Sequence, residues 1–460
     1  MATTYYIATA ANGGDDGHPG TLAEPWLTLA HAVSTISSGD TVYLRSGTWQ
    51  DERLYVFYKG YTSTTTFKAY TGETPVIDMR NSGTTSTACG IRCEGTNYIK
   101  VDGITVRNSG YCSLYIANCD NLIVTNNTTE HSRLSGLFIS GCDNFEVSYN
   151  DVKWSQCTSA SHDHSTWASW SEECISIENC SQGEVHHNSI SHGSAIAGGG
   201  GGEGLNIKSG GSYINIHDNT VDQARDDLVE STRYSMGVDA FAAETHHIYF
   251  YRNIIKNGSY GIILESESGG YAHHLYAWNN IIVHCGHSTS IHGGGLAFPN
   301  WGTQGLKQYC YFWNNTVYDC YYGFMVTTTN TAAPLLVQNN ILASCESDVY
   351  YWGAGTDQGD FTLDHNLDSG TFDFDDAPND FHIGIDSDAI DAGTTIADFD
   401  VDYDGVSRPQ GSAWDIGAYE YFGEEALLAA GSGSFLWSGE AATLTLETGK
   451  KIKLRHIRKA

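Results

Sequence analysis

Short runs of alternating apolar and polar residues recur along the chain, and each run ends on the same signature. The segments YIKVDGITV (98–106), NLIVTNNTT (121–129), NFEVSYNDV (144–152), YINIHDNTV (213–221), HIYFYRNII (247–255), HLYAWNNII (274–282), YCYFWNNTV (309–317) and LLVQNNIL (335–342) share one plan. Alternating apolar positions lead to an Asn or Asp, one free position and then usually an aliphatic residue. With GEVHHNSI (183–190) added, the anchor falls at Asp102, Asn127, Asn150, Asn188, Asn219, Asn253, Asn280, Asn315 and Asn340, at spacings of 25, 23, 38, 31, 34, 27, 35 and 25. Alternation at period two predicts strands with one buried face, and Asn at a fixed place predicts a turn that tolerates left-handed backbone. A second strand per unit is predicted at GLFIS (136–140), CISIE (174–178), GLNIK (204–208), GIILE (261–265), GGLAF (294–298) and GFMVT (323–327). A repeat of about 25 residues with two or three short strands per turn predicts an all-β parallel β-helix solenoid, whose coils bury their apolar faces by stacking.

The cysteines follow the same period. Cys119, Cys142 and Cys180 each stand three residues before the next strand, and Cys285, Cys320 and Cys345 each lie five residues after an anchor Asn. Equivalent positions on successive coils stack, which predicts two internal ladders of buried free thiols, although coils roughly 4.8 Å apart also admit a bridge. No CxxC pattern occurs, so nothing points to zinc on cysteine.

Charge narrows the function classes. Lys plus Arg number 23 against 54 Asp plus Glu, a net charge of −31, and six of the bases (Lys450, Lys451, Lys453, Arg455, Arg458, Lys459) crowd the last eleven residues. So acidic a body repels nucleic acid and polyanions and favours a neutral substrate or calcium. No run approaches the roughly 18 apolar residues of a membrane span. The opening MATTYYIATA has no basic segment followed by an apolar core.

YYIATAANGGDDGHPGTLAEPWLTLAHAVSTISSGDTVYLRSGTW (5–49) resembles the opening of right-handed parallel β-helix proteins of the pectate-lyase-like superfamily, with a small capping helix at about 28–37 before the first strand, TVYLRSG. The closing DVDYDGVSRPQGSAWDIGAYEY (400–421) is similar to their terminal element. EGLNIKSGGS (203–212), GVDAF (237–241) and LESESGG (264–270) resemble their carbohydrate-active members. The resemblance covers about residues 3–422 and implies a catalytic solenoid over 1–422, a β-rich appendage with a basic end over 423–460, and action on an extracellular or phage-encountered polysaccharide. It does not choose among lyase, hydrolase, epimerase and tailspike, because one solenoid carries all of these.

The pleat selects candidates for chemistry. With Ile175, Ile177, Leu205, Ile207, Met236, Val238, Ile262 and Leu264 turned inward, Glu178, Lys208, Asp239 and Glu265 form one outward column on four successive coils. Asp239 and Glu265 on adjacent coils suit the roughly 5 Å of a retaining glycosidase. Glu178 and Asp239, two coils apart at about 9–10 Å, lie nearer the inverting spacing. A hydrolase would use Asp239 and Glu265, with Glu178 or Glu267 as substitutes, and would require no cofactor. A calcium-assisted lyase would use Lys208 as base, with the acids as ligands. A glycan-binding adhesin would use the column only as a solvated face or a salt-bridge ladder.

Substrate contacts are expected from Glu203, Asn206, Arg233, Glu267 and Trp170, the last in the insertion SQCTSASHDHSTWASWSEE (155–173) that also brings His162, His164 and Trp167. Asp226 and Asp227, followed by Glu230, are read as a loop beside the cleft. Asp400, Asp402 and Asp404 in DVDYDG match the opening of a calcium loop, but Gly411 stands where its bidentate Glu belongs. They are the candidate structural-calcium set, against a plain turn capping the solenoid.

Overall fold

The computed structural model describes residues 2–80, 88–153, 155, 173–191, 203–223, 234–287, 292–299, 303, 305–327, 335–351 and 361–422, and the backbone of 442–445 and 451–454. Within them the chain winds through three parallel sheets of 13, 11 and 11 strands, every strand pairing with its equivalents one coil before and after. Each coil visits sheet A (Thr41–Leu44 in the first full coil), then sheet B (Gly47–Gln50), then sheet C (Leu54–Phe57). The fold is the predicted right-handed parallel β-helix. The helix Leu29–Thr35, capped by the Thr28 hydroxyl accepting from the His31 amide at 3.1 Å, turns Leu29, Ala32 and Val33 into the core. No helix among the described residues is long and apolar enough to cross a membrane. Ala442–Thr445 and Lys451–Leu454 pair antiparallel.

A continuous core of inward aliphatic and aromatic side chains fills the coil. At its A-to-B corner the anchor asparagines make an internal ladder. The amide of Asn253 donates to Asn280 Oδ1 at 3.0 Å, and its side-chain nitrogen donates to the same oxygen and to the Ile216 carbonyl, both at 2.9 Å. Its own oxygen accepts from the Asn219 amide and side chain, both at 3.0 Å. The pattern repeats from Asn127 through Asn150, Asn188, Asn219, Asn280, Asn315 and Asn340 to Asn366.

Two expectations change here. The left-handed residue is the one before each anchor, as at Asn126 (φ 57°), Tyr149 (55°), Asp218 (54°), Arg252 (54°) and Asn339 (58°). The anchor is fixed by its ladder bonds, not by tolerance of positive φ. Asp102 is not an anchor: it pairs with Thr125, Gly103 takes the bend (φ 77°), and Ile104 donates its amide to Asn127 Oδ1 at 3.0 Å.

The thiols behave as expected from their period. All eleven described cysteines are free, and the Cys119 amide donates to Cys142 Sγ (3.3 Å), Cys142 to Cys180 (3.4 Å) and Cys285 to Cys320 (3.3 Å).

The C-terminal segment to residue 422 straps the outside of sheet B. Phe374, Phe381 and Tyr419 pack with Ile281 and Val283. The left-handed corner residues grip it: Asn279 donates to the Val401 carbonyl (2.8 Å), Asn314 to Asp415 (2.9 Å) and Asn339 to Thr394 (2.7 Å). The Asn-Asn dipeptides thus hold the core ladder with one residue and the strap with the other. Within the strap Asp402 accepts from the amides of Asp404, Val406 and Glu420 at 2.8–3.0 Å, and Asp404 Oδ2 lies 3.0 Å from His382 Nε2. These two carboxylates of the candidate calcium set are engaged in the cap itself. Asp400 contributes a carbonyl that accepts from the Arg408 amide at 2.8 Å.

The ladder predicts a steep and local sensitivity. Asn253→Ala orphans the Asn219 amide and the Ile216 carbonyl, each at a cost of about 1–3 kcal/mol. Asn215→Ala, which loses only an exposed bond to Glu184, should stay within about 0.5 kcal/mol. Denaturant unfolding of the two variants checks the contrast, and equal midpoints would count against the ladder.

Candidate active site

Sheet C departs from simple alternation over four coils, on Glu173–Glu178, Glu203–Lys208, Tyr234–Phe241 and Tyr260–Glu267. On the first, Cys174 and Ile175 both enter the core, so the strand slips by one and Glu173 joins the outward face. Gly204 repeats this. A Cβ there would meet Val221 Cγ1 at 2.6 Å inside the coil, and Glu203, paired with Glu173, follows outward. Register then aligns Glu178, Lys208, Asp239 and Glu265 across the four strands.

The geometry brings together more than that column. Lys208 forms an ion pair with Glu173, whose side chain is fully buried while that of Lys208 is 17% exposed. Burial acts to raise the Glu173 pKa, but Lys208 and a hydrogen bond from Glu203 outweigh it and hold Glu173 below the ordinary carboxylate range. Asn206 is buried and points Nδ2 at Glu173 Oε1, 3.5 Å away.

Asp239 goes the other way. Burial first, then the like charge of Glu267, push its pKa up to about 7, against the pull of Lys208. Its Oδ1 is buried and has no hydrogen-bond partner among the described residues. Burial likewise raises Glu178, again opposed by Lys208.

Glu265 does not line an open cleft, as alternation alone predicts. It is completely buried, and its charge is the main one opposing the burial that lowers the pKa of Lys307. Lys307 is itself fully buried in the column of Thr245 and Ala272, with Nζ 3.5 Å from the Ser266 carbonyl. Glu203 and Asn206, expected as substrate contacts, are also buried, at 2% and 0% exposure. They form a floor rather than a contact surface. Glu178, Lys208, Asp239 and Glu267 keep partial exposure. Arg233, Trp167, Trp170, His162, His164, Asp226, Asp227 and Glu230 lie outside the described residues.

Two participants, Glu173 and Lys307, escaped the sequence reading. Glu173 was hidden by the slip at Cys174, and Lys307 by the left-handed Tyr309 (φ 50°), which breaks the pleat and turns a lysine inward. Phe241, 46% exposed and paired with Glu267, extends the outward row beyond Asp239. Alternation turns Phe241 outward beside Asp239, and its exposure leaves the ring open to a ligand.

Residues 5–183 match the family model described as the Pel9A-like, right-handed β-helix region, a span that includes Glu173 and Glu178 but ends before Lys208 and Asp239. No curated protein sequence matches the chain. Among solved structures, pectate lyase Pel9A aligns at TM-score 0.47 and 14% identity over 91% of this chain and 96% of that one. XylC in complex with xylose aligns at 0.48 and 11%, over 90% and 98%. A tailspike protein of E. coli bacteriophage HK620 aligns at 0.50 and 12%, over 78% and 64%. The three stacked parallel sheets make the chain a right-handed parallel β-helix protein, a fold it shares with the HK620 tailspike.

The ion pair yields a prediction that separates structural from chemical roles. Lys208→Met strands Glu173 as a buried charge, at a cost of about 3–5 kcal/mol, and Lys208→Met with Glu173→Gln should recover most of it. Thermal unfolding measures both. A single variant as stable as the parent would show that Lys208 does not neutralise Glu173.

Proposed function

We propose that the chain is a glycan-degrading glycoside hydrolase, with Asp239 as general acid and Glu178 as the opposing carboxylate. The observation that carries this reading is the raised pKa of Asp239, about 7, at a partly exposed position in register with Glu178 two coils away. A carboxyl that keeps its proton near neutral pH can protonate a glycosidic oxygen as the bond breaks. Glu178 takes the second role in preference to Glu265 because Glu265 is sealed beneath the surface. Two coils separate the backbones by roughly 9–10 Å, nearer the spacing of about 6.5–9.5 Å that leaves room for a water than the roughly 5 Å of a retaining pair, so inversion is expected.

The steps follow from the groups in place. A sugar ring stacks on the exposed face of Phe241 and sets its glycosidic oxygen against Asp239. Asp239 gives up its proton to the leaving oxygen, and Glu178, with Lys208 opposing the burial that raises its pKa, accepts a proton from the attacking water. Lys208 is ion-paired with Glu173 and already supplies positive charge among the acids. That disfavours Lys208 as the neutral base of a calcium-assisted lyase. The net charge of −31 likewise favours a neutral glycan over a polyuronate. A secreted or phage-associated protein would meet such a glycan outside cells.

Asp239→Asn should lower turnover by about 10²–10⁴-fold. Activity of the parent should fall as pH rises through about 7, as Asp239 loses the proton it donates. The sign for stability is opposite to that of a salt-bridged acid. A folded pKa raised above the unfolded value means that ionising Asp239 costs stability, progressively from near pH 4 through about 7, so Asp239→Asn should melt no lower than the parent at pH 8. The assay is a panel of neutral and uronic-acid polysaccharides, read for new reducing ends and for unsaturated uronide absorbance. Unsaturated product, or full activity in Asp239→Asn, would refute the assignment.

A further inference from the structure

The outward face of sheet A holds a second concentration of chemistry, on a different face from the acids of sheet C. His-His dipeptides at 246–247 and 273–274 lie on adjacent coils, with His246 in register with His273. The rings of His247 and His274 stack at 4.7 Å and 6°, and those of His246 and His273 at 5.0 Å and 15°. Within each dipeptide the rings are nearly perpendicular, and their Nδ1 atoms approach to 2.8 Å (His246 and His247) and 2.7 Å (His273 and His274). One ligating nitrogen from each of His247, His273 and His274 lies within 4.8 Å of the others, and all three side chains are half-buried.

A carboxylate decides which nitrogen of His273 is available. Glu244 Oε1 lies 2.8 Å from His273 Nε2, so Nε2 carries the proton and donates to Glu244, leaving the Nδ1 lone pair directed at His274. Two facing Nδ1 atoms at hydrogen-bond distance can be held by one shared proton or by one cation. A carboxylate behind the ring is the usual orienting partner of a metal-bound histidine.

We propose that His247, His273 and His274 form a binding site for a borderline divalent transition-metal ion such as Zn²⁺, Ni²⁺ or Cu²⁺, with Glu244 orienting His273. Metal–nitrogen bonds of about 2.0–2.1 Å require the three nitrogens to draw in from their present span, a matter of imidazole rotation. Oxygen-preferring calcium and magnesium are not suited to three imidazoles. The ion would tie two coils together from outside, opposite in face to the asparagine ladder.

The test is titration of the metal-stripped full chain with Zn²⁺, Ni²⁺ and Cu²⁺ by calorimetry, together with the electron paramagnetic resonance spectrum of the Cu²⁺ form. Expected are a saturable site, a copper spectrum showing several coordinated nitrogens, and at least about tenfold weaker binding in His273→Asn and in His274→Asn. Glu244→Gln should weaken binding by about 10- to 100-fold without removing a ligand. Asp239→Asn, on the other face, should bind as the parent does. His284, His287 and Asp319 form a second possible cluster, more exposed, and His284→Asn is its control. Absence of saturable binding by the parent, binding undiminished when His273 and His274 are both replaced, or binding lost only in His284→Asn would overturn the proposal.

Discussion

The inner asparagine ladder is the constraint on which the rest of the molecule depends. Each side chain serves the coils before and after it, so a coil fits only if its anchor returns to the same corner at the strand spacing of roughly 4.8 Å. Yet successive ladder members from Asn127 to Asn366 are offset along the chain by 23, 38, 31, 34, 27, 35, 25 and 26 residues. The A-to-B corner cannot absorb the difference, because the anchor follows sheet A by a fixed step. Extra residues must leave the coil before or after sheet C, and that places the variable connections around one face. The candidate site lies on that face because it is where the solenoid permits irregular chain.

The same geometry explains how acids come to be buried there. Where a connection re-enters sheet C at Cys174 or Gly204, two consecutive residues face inward, and the residue before them, Glu173 or Glu203, faces out beneath its neighbours. Burying a carboxylate is costly unless it is paired. Lys208 meets that cost for Glu173, and Lys307 approaches Glu265 from the core side. Asp239 is the member of the group left with burial and a like-charged neighbour, which is why its proton stays on near neutrality. The pKa difference between Asp239 and Glu173 is therefore built by pairing one acid and not the other.

The sequence carried the solenoid and the alignment of Glu178, Lys208, Asp239 and Glu265 because both rest on period-two alternation, which side-chain sterics enforce. What it could not carry is where alternation fails. Asp102 looked like an anchor because a hydrophobic-then-Asp pattern reads the same two residues out of step, and only Gly103 with its positive φ reveals the shift. Glu173 and Lys307 lie one residue beyond such breaks. Glu265 lies on the predicted face, but alternation says which side a residue takes and nothing about what covers that side.

Aromatic residues illustrate the same limit. Sheet A displays the larger number of rings, and composition alone would make it the natural platform for a sugar. Its rings, however, are spaced by the coil repeat and stack on each other: His186 on His217 at 5.0 Å, His217 on Tyr251 at 4.8 Å, and Tyr251 on Trp278 at 4.7 Å. A ring stacked on both sides presents its edge, and an edge offers a pyranose little of the face that makes aromatic stacking favourable. Phe241 stands in no such column among the described residues and is 46% exposed, two residues from Asp239 on the same strand. Periodicity, which stabilises sheet A by stacking ring on ring, leaves it poorer in open ring faces, and Phe241, outside any such stack among the described residues, lies beside the acid with the raised pKa.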